Sequence, residues 1–405
     1  MNFPFNKEFD WTLFILWFLL VAFGVVAIYS ASTVKIEDEM THYDYYIKQF
    51  VFAILSLIIM FIVLKVPTTV LDVFVYPGFY IVLLLLVLVF FMPKVNNAHR
   101  WIVLGGLRLQ PSEVAKVILV LISARILARP HITPFQMMYK PLLYVLPCFF
   151  LVIRQPDLGT SLILMITYFI LLAQADFPPI NMFLIITPLI AILTSFIYQI
   201  FIVYAILLTL FLIRKKFAAQ YIIFIMIINL FFCFITPVLW QSLRPYQQNR
   251  ILTFIDPHRD PLNTGYQVIQ AKIAVGSGQL FGKGFLEGTQ KNMNFLPEHH
   301  TDFIFSVVSE EFGFVGAILL LILFMLFFLR IIRNIYRSEV KERRIAMSGV
   351  LAFLGFQVLI NVGMNIGLLP TTGITLPFIS YGGSSLLMNS VGVALVLKYG
   401  GEKDV

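Results

Sequence analysis

Residues 179–213, PINMFLIITPLIAILTSFIYQIFIVYAILLTLFLI, carry no charged side chain, and how they divide decides how the whole chain is threaded. A bilayer core about 30 Å thick is crossed by about 20 apolar residues in helical conformation. As one helix the run is far too long. Divided near Tyr198 and Gln199 it makes two short spans. Outward from it, candidate spans fall at 11–30, 47–66, 72–92, 111–127, 139–153, 158–174, 218–240, 303–329, 345–366 and 376–397. The count then comes to about 12.

Charge tests that count, because Lys and Arg gather in cytoplasmic loops. Arg125 and Arg129, then Arg214, Lys215 and Lys216, then Arg330, Arg333, Arg337, Lys341, Arg343 and Arg344, and finally Lys398 and Lys403 share one side if the run is two spans. As one span, it sends them to opposite sides. The chain therefore reads as an all-α polytopic membrane protein with both termini cytoplasmic. Residues 1–405 form a single transmembrane domain, within which 241–302 is one large extracytoplasmic loop.

Composition agrees. The chain is 60% hydrophobic and 12% charged, against about a quarter charged in soluble domains. The apolar stretch from Trp11 to Ser30 exceeds the ~7–15 residues of a cleaved signal core, so it reads as the first anchor. Cys148 and Cys233 both sit in spans and imply no disulfide framework. The net charge of +8 matters by location rather than sum, and it points to no nucleic-acid partner.

The threading leaves two notable polar segments outside. One, 93–110, has Lys94, Arg100 and Arg108 and no acid. That suits an ordinary loop or a phosphate-binding site at the outer face. The other, 241–302, is longer than the ~12–15 residues of a plain connector. It holds Arg244 and Arg250 at its start and three of the six histidines. Its last residue, Asp302, precedes an apolar span, where a helix-capping aspartate and a carboxylate base are both at home.

Gly276, Gly278, Gly282, Gly284 and Gly288 surround Lys283, but the run lacks a spacer residue and the closing Ser or Thr of a nucleotide loop. These glycines read as turns and close backbone approaches. Glu298, His299, His300 and Asp302 match no recognised metal spacing, so no metal ligand is assigned. Inside the membrane, Glu113 and Lys116 share a helix face, as a structural ion pair or a cavity lining. Glu310 and Glu311 raise the same alternatives. Gln357, Asn361 and Asn365 make a polar stripe that reads as interhelical glue. Residues 154–160 and 372–385 are polar breaks of the kind tolerated where protein or a watery cavity covers them.

Several of these segments together resemble the SEDS family (shape, elongation, division and sporulation). They are His99-Arg100-Trp101-Ile102, Gln110-Pro111-Ser112-Glu113 with Lys116, Gln155-Pro156-Asp157-Leu158-Gly159-Thr160-Ser161, Asp260-Pro261 with Gly265-Tyr266-Gln267, His300-Thr301-Asp302-Phe303-Ile304-Phe305, and Pro377-Phe378-Ile379-Ser380-Tyr381-Gly382-Gly383-Ser384. They keep the family's order from about residue 11 to 399. Residues 246–252 and the short tails are more similar to the elongation branch than to the division branch.

The resemblance implies a peptidoglycan glycosyltransferase that polymerises lipid II into β-1,4 glycan strands at the outer face of a bacterial cytoplasmic membrane. By motif, Asp302 corresponds to the family's essential aspartate and Trp101 to an outer-loop tryptophan required for activity. Glu113 and Lys116 correspond to a charged pair lining the central cavity. Arg100, Arg244, Arg250, Lys272, Lys283 and His300 join them as substrate-binding candidates. The implied partners are lipid II, the growing glycan strand, a class B penicillin-binding protein, MreC and MreD. No cofactor is assigned; a divalent cation, Mg or Mn, is left open. The family pattern has about ten spans, so the surplus lies in 179–213. A lipid II transporter remains the rival from another class. The clustering of ionisable groups at one face, rather than along a midplane path, favours the enzyme.

Overall fold

The computed structural model describes residues 9–36, 39–42, 44–94, 98–104, 107–243, 245–256, 264–292 and 300–401. In lipid every backbone N–H and C=O needs an internal partner, and these apolar runs find it as helices. The helices before the long loop are α1 (Trp11–Ser32), α2 (Tyr45–Lys65), α3 (Thr68–Leu88), α4 (Pro111–Leu127), α5 (Pro134–Arg154), α6 (Leu158–Gln174), α7 (Pro179–Ser195), α8 (Tyr198–Arg214) and α9 (Ala219–Ser242). The loop contains α10 (Pro245–Ile255), α11 (Thr264–Ser277) and α12 (Thr289–Asn292), and α13 (Ile304–Arg337), α14 (Lys341–Asn365) and α15 (Gly383–Gly401) follow. Among the described residues seven helices are long and apolar enough to cross a membrane, and α6, α7 and α8 are shorter apolar ones. The more polar α4 and α15 occupy the remaining two expected spans.

The division of 179–213 is as expected: α7 ends at Ser195 and α8 begins at Tyr198. The chain forms two compact units, Met1–Ala175 with Thr253–Val405, and Asp176–Leu252. In the second unit α7, α8 and α9 are joined by polar side chains. The Tyr204 hydroxyl lies 2.9 Å from both the Thr187 carbonyl and Asn229 Oδ1, and Asn229 Nδ2 donates to Thr187 Oγ1 at 3.2 Å. In the first unit α4 and α14 are the interior, buried over most of their length.

Three features differ from the expectation. Two small antiparallel hairpins are present, β1 (Thr33–Ile36) with β2 (Glu39–His42), and β3 (Ile102–Leu104) with β4 (Leu107–Leu109). The helix after Asp302 runs on to Arg337 and is broken at Gly313, whose φ is 68° and ψ −167°. The last helix starts at Gly383, because 376–382 leave the helical path through Pro377 and a positive φ of 67° at Phe378.

Candidate functional site

The N-cap of α13 is Phe303, and the N–H of Ser306 donates to Asn365 Oδ1 at 3.1 Å. The Asp302 backbone is what the fold holds: its carbonyl accepts from Asn361 Nδ2 at 3.0 Å and from Asn365 Nδ2 at 3.1 Å. Asn361 and Asn365 are fully buried, so α14 supplies two buried amides to this turn. Phe303 packs on Ala271, fastening the start of α13 to α11. Gly373 faces the carboxylate. A β-carbon there would lie 3.5 Å from Asp302 Oδ2, and its φ of 75° favours glycine.

Two residues earlier, His300 stacks on Tyr45 with ring centroids 4.4 Å apart and planes 12° apart. Tyr381 closes the cluster, 5.1 Å from Tyr45, and its N–H donates to the His300 carbonyl at 2.9 Å. Burial raises the Tyr381 phenol above its ordinary pKa, with Arg108 opposing and Tyr45 adding to the rise. The broken segment before α15 thus grips the end of the long loop.

A second hub adjoins the first. Gly159, at the start of α6, packs so closely on Ile374 that a β-carbon would lie 2.5 Å from Ile374 Cγ1. Asp157 caps α6 through Thr160 N at 3.2 Å and accepts from Gln110 Nε2 at 3.0 Å. Arg100 Nε donates to the Gln155 carbonyl at 3.1 Å, and its Nη2 donates to the Pro156 carbonyl. Ser384 Oγ donates to the Arg108 carbonyl at 2.7 Å and receives Gln110 N at 3.2 Å. The β3–β4 hairpin, with Trp101 just before it and partly exposed, is in this way docked on α6 and α15.

Directly below, Glu113 and Lys116 meet at 2.8 Å, with side chains 7% and 1% exposed. The contact is an ion pair without hydrogen-bond alignment, since among the described residues Glu113 Oε2 and Lys116 Nζ, like Ser112 Oγ, Ser123 Oγ and Thr167 Oγ1, have no hydrogen-bond partner. Lys116 also sits 5.4 Å from the Phe353 ring centroid. A cavity of about 10 Å³ opens between Lys116, Ser123, Thr167 and Tyr168, about the room of one water.

Glu310 and Glu311 are already engaged. Lys291 Nζ lies 2.5 Å from Glu311 Oε1 and donates to Ser30 Oγ at 2.6 Å. Lys283 Nζ pairs with Glu310 Oε1 at 2.7 Å, which also accepts from Thr289 N at 2.9 Å. Burial lowers the Lys291 pKa, while the Glu311 charge opposes that shift.

Of the residues expected at the site, the structure brings Asp302 and His300 into one cluster and Arg100, Glu113 and Lys116 into the adjoining one. Arg100 gives two of its N–H donors to backbone carbonyls, and Lys283 is paired with Glu310. Lys272, on the exposed side of α11, lies over Gly367. Arg250 lies on α10 in the other unit. Arg244, together with Glu298, His299 and Lys403, lies outside the described residues. Sequence reading saw Asn361 and Asn365 only as glue, gave Tyr381 no role beyond its motif, and passed over Tyr45 and Lys291. The four-residue spacing of the asparagines was the one available signal.

A family model for the cell cycle proteins FtsW, RodA and SpoVE matches residues 10–219 and 177–403. The two matches overlap where α7 and α8 lie. Among curated relatives, peptidoglycan glycosyltransferase MrdB of Escherichia coli K12 is 32% identical over 398 residues, covering 96% of this chain and 92% of that one. A probable peptidoglycan glycosyltransferase FtsW of Geobacter metallireducens is 32% identical over 409 residues, covering 98% and 97%. Two solved structures share the fold. A peptidoglycan synthase complex that coordinates polymerisation and crosslinking has a chain at TM-score 0.71 and 29% identity, with 98% of both chains covered. The rod shape determining protein RodA of Thermus thermophilus gives TM-score 0.65 and 27% identity, covering 98% and 99%.

Proposed function

This chain belongs to the FtsW/RodA/SpoVE family and is a multi-pass membrane peptidoglycan glycosyltransferase; from that premise we propose that it polymerises lipid II with Asp302 as the base. The observation that carries the reading is the placement of Asp302. Its backbone is pinned by two buried asparagines at the junction of the outer loop and a membrane helix. A base must be held within hydrogen-bond reach of the proton it removes, and this anchoring is of that kind.

In the proposed step the 4-hydroxyl oxygen of the acceptor sugar bonds to the anomeric carbon of the donor. The bond from that carbon to the undecaprenyl pyrophosphate oxygen breaks, and the hydroxyl proton passes to the Asp302 carboxylate. Inversion in one displacement needs no covalent enzyme intermediate. The leaving pyrophosphate calls for cations aimed at its developing charge. Lys272 and Arg108 suit this role, since among the described residues neither has a carboxylate partner. A Mg or Mn ion would be held chiefly by the pyrophosphate, because among the described residues no three His, Cys, Asp or Glu side chains converge. Trp101 would offer an aromatic face to a sugar ring.

Relatives named for elongation and for division are equally similar. The elongation role is therefore part of the proposal, supported by residues 246–252. So are a class B penicillin-binding protein as partner, by analogy with the peptidoglycan synthase complex, and MreC and MreD. The test is polymerisation of lipid II in detergent by purified protein with such a partner. Asp302→Asn is expected to abolish product while the protein stays folded. Normal polymer from that variant would overturn the assignment.

A further inference from the structure

We infer that residues 278–285 are a re-entrant tip of the long loop whose apolar side chains sit among the acyl chains of the outer leaflet. Two helices supply the depth scale. Asp10, at the start of α1, pairs with Arg330 of α13 at 2.7 Å. Near the other end of both helices, Ser30 Oγ donates to Glu311 at 2.6 Å. Each helix covers about 20 residues between these ties, or about 30 Å, the thickness of the hydrocarbon core. The Ser30–Glu311 level is therefore the outer boundary, and Gly313, Phe314 and Val315 lie inside it.

At that depth α13 is broken, and a broken helix in lipid must find other partners for its backbone. The loop supplies them. Phe314 N donates to the Gln279 carbonyl at 2.8 Å and Val315 N to the Leu280 carbonyl at 3.1 Å. In return Lys283 N donates to the Glu310 carbonyl at 3.0 Å and Gly284 N to that of Glu311 at 3.1 Å. The two backbones approach so closely that a β-carbon on Gly278, Gly282 or Gly313 would collide with the opposite strand. Lys283 and Lys291 arrive with the loop and neutralise Glu310 and Glu311. The segment therefore meets the condition for irregular backbone at membrane depth.

What it turns outward is apolar. Phe281 is 81% exposed and Leu280 60%, beside Phe314 at 61%, which opens the lipid-facing run of α13. Phe285 continues the same surface and stands 6.1 Å from Phe312 and 6.4 Å from Tyr29. The surface is continuous with one that lipid already covers, which identifies its occupant as acyl chain.

The test is site-directed spin labelling in vesicles of phosphatidylethanolamine and phosphatidylglycerol, on a C148A/C233A background. Labels go at Phe281→Cys, at Phe314→Cys as the lipid-facing reference and at Lys272→Cys as the aqueous one. The label at 281 is expected to relax more with oxygen than with a water-soluble nickel chelate, as at 314. Relaxation dominated by nickel, as at 272, would overturn the proposal. So would low accessibility to both reagents, which would mean a protein contact. Leu280→Cys is the second reporter should the first variant not fold.

Discussion

Asn361 holds Asp302 by its backbone: Nδ2 lies 3.0 Å from the Asp302 carbonyl oxygen and 2.7 Å from that of Ile374, so one buried amide ties the end of the outer loop to the broken segment before α15. Asn361→Ala removes both bonds: the Ile374 carbonyl loses this donor, at a cost of about 1–3 kcal/mol for a buried group left unsatisfied, and the Asp302 carbonyl keeps only Asn365 Nδ2. With Asp302 held by one amide instead of two, kcat for polymerisation is expected to fall about tenfold, with KM little changed. Polymerisation at saturating lipid II, alongside a melting temperature, checks this. An unchanged kcat in a folded variant would remove Asn361 from the positioning role.

Arg100 offers a choice between two roles. Its guanidinium spans the carbonyls of Gln155 and Pro156, and that fork is what Lys cannot reproduce. If the clamp is its task, Arg100→Lys should lower the melting temperature, by the equivalent of about 1–3 kcal/mol, while KM for lipid II stays near the parent value. The reverse pattern, a raised KM with unaltered melting, would place the guanidinium on the substrate's phosphates.

The helices were legible because lipid enforces them. An uncharged run bounded by Arg214, Lys215 and Lys216 has few ways to cross a bilayer, and the break before Tyr198 followed from length and charge alone. The Gly313 break was not legible. Nothing local in Glu311-Phe312-Gly313-Phe314 marks it, because the groups that satisfy it come from residues 279–284. Asp302 stood out by position and by motif, but its anchors did not. A polar stripe on α14 looks the same whether it meets a neighbouring helix or the turn that carries Asp302. The Arg100 and Lys283 assignments rested on charge, and charge alone does not show that a carbonyl or a carboxylate has already claimed it.

The Lys291–Glu311 pair is buried on both sides. Removing one partner strands the other charge, which costs about 3–5 kcal/mol, whereas removing both can be nearly neutral. Lys291→Met and Glu311→Met should each lower the melting temperature sharply, and the double variant should be more stable than the sum of the single losses implies. A strictly additive cycle would show that the two charges do not depend on each other. Lys291→Arg, which keeps the charge, tests whether the site tolerates a larger cation in so tight a space.

The three helices of the second unit have their own polar tie. The Tyr204 hydroxyl has a single proton and two acceptors at 2.9 Å, so it can serve only one at a time. Asn229, fully committed to Thr187 and Ile225, is the stronger joint. Tyr204→Phe should therefore cost little, about 0.6 kcal/mol as is usual for hydrogen bonds between membrane helices, and Asn229→Leu somewhat more. Because the apolar packing of this unit centres on Leu208, Leu212 and Ile225, and the site residues around Asp302 lie in the other unit, polymerisation should survive both changes. Loss of polymer formation by a well-folded Asn229→Leu protein would mean that the surplus helices take part in the reaction or in holding a partner that it requires.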